Sequence, residues 1–208
     1  MKGLLIKDIY MIKDGLLIPA IMMVVLGVVL SRLGSIWLLP TIAAAMMAMQ
    51  GALTLSMDKS SGWRKFAATL PVTAARYAAS KYALYFLLAV AGILLGAAIS
   101  AAVAIWKGDF SAEALAVSCC MAVTMSLLPG SIGIPCLFAL SEEKGMAATV
   151  VSFIASAGIY AGLVELFGRM GVFVGDPLAA NGVIAAASLA AFLFSCIACP
   201  KLIKSREL

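Results

Sequence analysis

The sequence predicts an all-α membrane protein: a polytopic bundle of six transmembrane helices with both termini in the cytoplasm. Hydrophobic residues make up 64% of the 208 residues and charged residues only 12%. A soluble domain carries roughly 45–50% apolar and about 25% charged residues. A soluble fold of this size would leave much of this apolar surface in water, so the composition favours lipid as the solvent.

Six apolar blocks give the expected spans, and the whole chain, residues 1–208, is expected to form one transmembrane domain. The blocks have 16 to 27 residues, around the length of about 20 residues that crosses a bilayer. The spans are expected at about residues 15–30, 34–57, 82–106, 114–140, 146–167 and 178–199. The longest polar stretch, residues 58–81, is too short to build its own core. It is expected to be a cytoplasmic loop between spans 2 and 3.

The distribution of basic residues predicts the orientation. Three of the 15 basic residues fall on one side of the expected bundle: Arg32, Lys107 and Arg169. The other twelve share the opposite side: Lys2, Lys7, Lys13, Lys59, Arg64, Lys65, Arg76, Lys81, Lys144, Lys201, Lys204 and Arg206. Cytoplasmic loops carry the excess of Lys and Arg. The termini and the 2–3 and 4–5 connections are therefore expected in the cytoplasm.

The loop between spans 2 and 3 has the pattern of short amphipathic helices. Trp63, Phe66 and Leu70 follow the 3-and-4 spacing of one helical face, and Arg64 points elsewhere. Pro71 stops this helix, and a second short helix leads into span 3. The segment either lies on lipid headgroups or offers its aromatic side chains to a cytoplasmic partner.

Span 4 contains helix-breaking residues in its middle. Pro129, Gly130 and Pro135 lie within a block of 27 residues, and proline removes a backbone donor. Two interpretations remain open, a kinked continuous helix and a broken helix that lines a substrate path.

Three polar side chains stand out within or beside the spans. Gln50 in span 2 either bonds to a neighbouring helix or contacts a substrate. Glu165 and Arg169 are four residues apart at the outer end of span 5, so they face each other on a helix. They form either an interfacial ion pair or an outer gate.

The sequence offers no catalytic constellation and no metal site. It contains no histidine, and its five cysteines lie in apolar blocks. Cys196 and Cys199 form a lone C-x-x-C, which is a weak metal signal without a second pair. The chain also lacks the G-x-x-x-x-G-K-[ST] run of a P-loop. We therefore expect no enzyme activity, no catalytic residue and no cofactor in this chain.

Three short motifs stand at the edges of the expected spans. An N-terminal Lys7-Asp8 precedes span 1, and a Glu143-Lys144-Gly145 turn precedes span 5. The third motif enters span 3 and comprises Leu70, Pro71, Val72, Thr73, Arg76, Tyr77, Ser80, Lys81 and Tyr82. These motifs resemble those of the six-span permease subunits of bacterial type-2 ABC transporters, and the layout of the spans extends the resemblance over nearly the whole chain.

The resemblance implies an exporter subunit in the bacterial cell membrane. Such permeases dimerise with themselves or a paralogue, and they dock on a separate ATPase that binds ATP and Mg²⁺. They usually export peptides, antibiotics, lipids or polysaccharide. The docking residues implied here lie in the 2–3 loop: Trp63, Arg64, Phe66, Leu70, Pro71 and Arg76. The short loop at residues 168–177 leaves little chain for an elaborate outer gate.

Other functions remain as alternatives. An intramembrane protease is disfavoured because the chain has no histidine to hold a metal. An ATP-independent channel or secondary transporter usually carries charges in mid-span, and these spans are nearly uncharged. A non-transporting accessory or immunity protein also fits the composition. Nucleic acid is not an expected partner, because the basic residues occupy short gaps between apolar blocks.

Overall fold

The computed structural model describes residues 2–13, 15–62, 74–171 and 175–204 and contains only helices in these ranges. A one-turn 3₁₀ helix, Ile36–Leu38, precedes α3. The α-helices are α1 Lys2–Ile12, α2 Leu17–Arg32, α3 Leu39–Ser60, α4 Ala74–Lys107, α5 Ala112–Ala139, α6 Glu142–Arg169 and α7 Pro177–Lys204. The predicted all-α membrane bundle is thereby confirmed.

Five helices, α3 to α7, are long and apolar enough to cross a membrane. The helix at the expected first span, α2, is too short to cross a bilayer by itself. It has 16 residues and is about 24 Å long at 1.5 Å per residue. That length is less than the roughly 30 Å of a bilayer core. The helical segments Ile6–Ile12 and Leu17–Arg32 are bent by 59° relative to each other. If this bent pair crosses the membrane as a single span, the described residues contain six spans.

Helix α4 extends well beyond the span expected from the sequence. Its 34 residues correspond to about 51 Å, which exceeds the thickness of the hydrocarbon core. The expected second short helix of the 2–3 loop is instead the first part of α4, because Ala74–Lys81 contains no glycine or proline. Helix α3 likewise continues to Ser60. The connection between them is residues 61–73.

Helices α3 and α4 approach closely through glycine. A Cβ added to Gly92 would lie 2.6 Å from the carbonyl oxygen of Ala43, and one at Gly96 would lie 2.6 Å from the Cα of Pro40. Only glycine leaves room for backbone at this distance. Gly92 and Gly96, four residues apart on one face of α4, therefore form the face that packs against α3.

Helix α5 runs without interruption from Ala112 to Ala139 through both prolines, so the broken-helix interpretation does not hold. Pro135 has no N–H for the carbonyl of Ser131, four residues earlier. The Ser195 hydroxyl on α7 donates to that carbonyl at 2.7 Å. One turn before Pro129, the Tyr85 hydroxyl on α4 donates to the carbonyl of Ser126 at 2.6 Å. At Pro135, a neighbouring helix thus satisfies the freed carbonyl, as a helix in lipid requires.

Candidate functional site

Four charged side chains from three helices meet at the end of the bundle that carries the 2–3 connection. Lys81 Nζ lies 2.5 Å from Asp58 Oδ2 and 2.8 Å from Asp8 Oδ2. Lys7 Nζ lies 2.5 Å from Asp58 Oδ1 and 3.2 Å from Asp8 Oδ1. We call Lys7, Asp8, Asp58 and Lys81 the charge cluster.

The charge cluster is buried and electrically balanced. Asp8, Asp58 and Lys81 are exposed by only 1%, 0% and 3%, and the side chain of Lys7 by 26%. An isolated buried charge is very unfavourable, whereas two cations beside two anions compensate one another. The Tyr77 hydroxyl adds a hydrogen bond to Asp58 Oδ2 at 2.9 Å. Because removing one member leaves a buried charge uncompensated, the cluster holds its helices in one arrangement.

Helical spacing explains how the sequence assembles this cluster. Tyr77 and Lys81 are four residues apart on α4, so they share a face. Lys81 Nζ also lies 5.6 Å from the centroid of the Tyr77 ring, within the range of a cation–π contact. Asp58 lies in the last turn of α3, before the connection of residues 61–73. The cluster therefore joins α1 to the two helices that flank this connection.

Lys59, the residue after Asp58, links the last turn of α3 to α5 through hydrogen bonds. Lys59 Nζ donates to the carbonyl oxygens of Leu137 and Leu140, the latter at 2.6 Å. These carbonyls belong to the C-terminal end of α5, where a cation is favoured by the helix dipole. The end of α3 is thus bound to α1, α4 and α5 by two consecutive residues.

The structure describes only one of the six predicted docking residues, Arg76. Arg76 is exposed in the first turn of α4, close to Tyr77 in sequence. Five of the six lie outside the described residues: Trp63, Arg64, Phe66, Leu70 and Pro71. The docking role of the set stays a prediction.

The residues predicted to line a substrate path face different neighbours. Gln50 is half-buried on α3, and its side-chain oxygen would lie 3.8 Å from a Cβ placed on Gly15. Gly130 is buried on α5 against the rings of Tyr85 and Phe192. Pro129 is buried and Pro135 half-buried on the same helix. The role of these four residues in a substrate path stays a prediction.

The predicted ion pair at the other end of the bundle is present. Arg169 Nη2 lies 2.5 Å from Glu165 Oε1, and the two side chains are 77% and 64% exposed. An exposed pair of this kind stabilises a helix by about 0–1 kcal/mol. Its role as an outer gate stays a prediction.

Sequence reasoning recognised Lys7-Asp8 and Lys81 as motif residues but did not predict that they meet at Asp58. The signal that was available is an acidic residue at the end of an otherwise uncharged apolar block. Ionisable groups near membrane depth generally pair with one another. Four charged residues at the ends of three apolar blocks on one side, Lys7, Asp8, Asp58 and Lys81, would therefore have pointed to a common cluster.

The long apolar helices and the buried charges at one end define a multi-pass helical protein of the cell membrane. The family model described as "ABC-2 family transporter protein" matches residues 3–204, and the chain belongs to this family. Comparisons with curated proteins and with solved structures gave no match. Membership makes the chain a membrane component of transport that is not itself catalytic, and it implies an ABC ATPase subunit as partner.

Proposed function

We propose that this chain is the permease subunit of an ATP-driven exporter. It moves a peptide, antibiotic or lipid-like substrate by alternating access, while a separate ATPase subunit binds ATP and Mg²⁺ and supplies the energy. A second copy or a paralogue completes the path as a dimer. Family membership supports the transport role, and the charge cluster is the observation that carries the mechanism.

The charge cluster provides a mechanical link. Asp58 ends α3 just before residues 61–73, and Tyr77 and Lys81 lie in the first turns of α4 just after them. Force applied to this connection from the cytoplasm therefore reaches α3 and α4 together. Lys7 and Asp8 make α1 follow the same motion. A rigid link of this kind turns a shift at the docking surface into movement of whole helices.

The docking surface itself is proposed from the sequence. The three-residue spacing of Trp63 and Phe66 predicts that they share one helical face, and aromatic side chains dominate the energetics of many interfaces. In this proposal they insert into the ATPase subunit, and Arg64, Leu70, Pro71 and Arg76 surround them. The family's usual docking loop is the one between spans 2 and 3, which supports this assignment.

The proposal is tested by purifying the tagged chain from its native membrane in mild detergent, followed by mass spectrometry and an ATPase assay. We expect an ABC ATPase subunit to co-purify with the wild-type chain. The variant Trp63→Ala/Phe66→Ala should lose this subunit by at least about tenfold, because each anchor commonly contributes 1 kcal/mol or more. Thermal unfolding checks that the variant remains folded.

A matched control is Trp106→Ala, which removes an aromatic side chain that is 85% exposed at the opposite end of α4. This variant should retain the ATPase subunit. Unchanged association in Trp63→Ala/Phe66→Ala would contradict the docking role. A wild-type chain that purifies without any ATPase would contradict the exporter proposal and favour an ATP-independent channel, a secondary transporter or an accessory protein.

A further inference from the structure

A groove lies between α2 and α4 at the end of the bundle opposite the charge cluster. Its volume is about 560 Å³. Its lining residues come from the C-terminal halves of the two helices: Val24, Gly27, Val28, Ser31, Arg32, Ile99, Val103, Trp106 and Lys107. In the orientation expected from the basic residues, this end faces the outer leaflet.

Two of the three basic residues expected on the outer side line this groove. Neither Arg32 nor Lys107 forms an ion pair with an acidic side chain in the described ranges. Lys107 Nζ donates to the carbonyl of Ser31, which leaves its other N–H groups for a further acceptor. By contrast, the third outer cation, Arg169, is neutralised by Glu165. The groove is thus a local concentration of positive charge.

The helix dipoles do not cancel this charge. Helices α2 and α4 both end at the groove, and each C-terminus carries the equivalent of about −0.5 charge. Among the residues that line the groove, two full positive charges against two such ends leave a net charge of about +1, and the exposed Asp109, two residues after Lys107, is not part of this lining. An anion is therefore favoured at the mouth of the groove.

Below the charged mouth the walls are apolar. Val24 and Val28 on α2 face Ile99 and Val103 on α4, and Trp106 stands at the rim with 85% of its surface exposed. Tryptophan is enriched at the level of lipid headgroups. A basic mouth at headgroup level above an apolar cleft matches a molecule with an anionic head and a hydrocarbon tail.

We propose that this groove binds an anionic phospholipid of the outer leaflet. The lipid phosphate accepts hydrogen bonds from Arg32 and Lys107, and one acyl chain lies along the valine and isoleucine walls. A zwitterionic lipid fits less well, because none of the described residues that line the groove is acidic and could pair with its cationic headgroup. The site is independent of the exporter proposal, since it concerns lipid held at the surface of the subunit.

Native mass spectrometry of the full-length protein tests the site, with phosphatidylglycerol and phosphatidylcholine of identical acyl chains as probes. We expect retention of one phosphatidylglycerol per chain in preference to phosphatidylcholine. Arg32→Gln/Lys107→Gln should weaken this retention by about 25-fold, because each basic residue near an anionic lipid contributes roughly fivefold. The control Arg169→Gln, which removes the paired outer cation, should retain the lipid like the wild type.

Equal retention of the two lipids would overturn the proposal, since the groove would then bind only acyl chains. Unchanged phosphatidylglycerol retention in Arg32→Gln/Lys107→Gln would overturn it as well. If the wild-type protein forms a dimer without bound lipid and Arg32→Gln/Lys107→Gln is monomeric, the groove binds a second copy of the chain and the lipid proposal is wrong. Both substitutions are at the surface, so thermal unfolding should be unchanged without added lipid.

Discussion

Lys81 and Asp58 form an ion pair with Nζ and Oδ2 2.5 Å apart, and they stand on opposite sides of the connection of residues 61–73. Both side chains are almost completely buried, in a protein whose residues are only 12% charged. The pair therefore closes the two ends of the proposed docking segment against each other. Asp8 and Lys7 attach α1 to the same point.

Removing Asp58 should destabilise the protein strongly. Asp58→Asn leaves two lysines with one aspartate in a buried site, so one positive charge is uncompensated. We expect a loss of about 3 kcal/mol in the free energy of unfolding, near the lower limit for breaking a buried pair, because Lys7 retains contact with solvent. Thermal unfolding in lipid nanodiscs measures this change. The exposed Asp109 on the other side provides the control, and a loss in Asp109→Asn as large as in Asp58→Asn would contradict the account.

The partnership of Asp58 and Lys81 should appear as non-additivity. In Asp58→Asn/Lys81→Gln, the remaining Lys7 and Asp8 balance each other, so the double variant should be more stable than the sum of the two single losses. We expect a coupling free energy of about 1–3 kcal/mol from the double-mutant cycle. Strictly additive losses would show that the two side chains act separately.

The contact between α3 and α4 predicts a contrast between two glycines. Gly92→Ala places a methyl group 2.6 Å from the Ala43 carbonyl oxygen and should destabilise the protein by about 2 kcal/mol. Gly158→Ala on α6 meets nothing within 4 Å and should leave stability unchanged or slightly raised. Thermal unfolding of both variants makes the comparison. Equal effects would indicate that α3 and α4 do not pack through this face.

Pro135 and Ser195 should be coupled through the carbonyl of Ser131. Ser195→Ala should cost about 2 kcal/mol, because it leaves that carbonyl without its donor and the Tyr82 hydroxyl without its serine partner. In a Pro135→Ala background the new N–H can bond to the same carbonyl, so the cost of Ser195→Ala should fall. Ser188→Ala is the control, since Ser188 bonds only within its own helix, to Ile184. The loss of stability from Ser188→Ala should be the same with and without Pro135. If Pro135→Ala changed the losses from both serine substitutions equally, the bond from Ser195 to the Ser131 carbonyl would be contradicted.

The fold class could be predicted because apolar blocks of spanning length have few other solutions in water or lipid. The packing of Gly92 and Gly96 and the Glu165–Arg169 pair also follow from local helical spacing. The sequence predicted a separate short helix before span 3, whereas one continuous helix begins at Ala74. Helical propensity does not change between Ala74 and Lys81, so the sequence gives no sign of where the loop ends and the span begins. The short length of α2 and its bend relative to α1 were not predicted either, because hydropathy measures the length of an apolar segment and not the angle between two segments.

The charge cluster could be predicted only in part. Lys7, Asp8 and Lys81 are separated by up to 74 residues, and their meeting at Asp58 depends on how three helices pack. Pattern within one helix says nothing about contacts at that separation. The bond from Ser195 to Ser131 escaped for the same reason: Pro135 indicates a freed carbonyl, and only the tertiary structure shows which helix supplies the donor.

In the proposed mechanism, the charge cluster makes α1 and the N-terminal end of α4 move as one body when the ATPase subunit acts. The most direct measurement is the distance between spin labels at Tyr10 and Ala75, both exposed positions, by pulsed electron paramagnetic resonance. It is made in the complex with the ATPase, without nucleotide and after vanadate trapping, in a background with the native cysteines replaced. The account predicts a change below about 2 Å in the wild type and a broadened distribution in Asp58→Asn/Lys81→Gln. A wild-type change of about 5 Å or more, the rise of one helical turn, would contradict it.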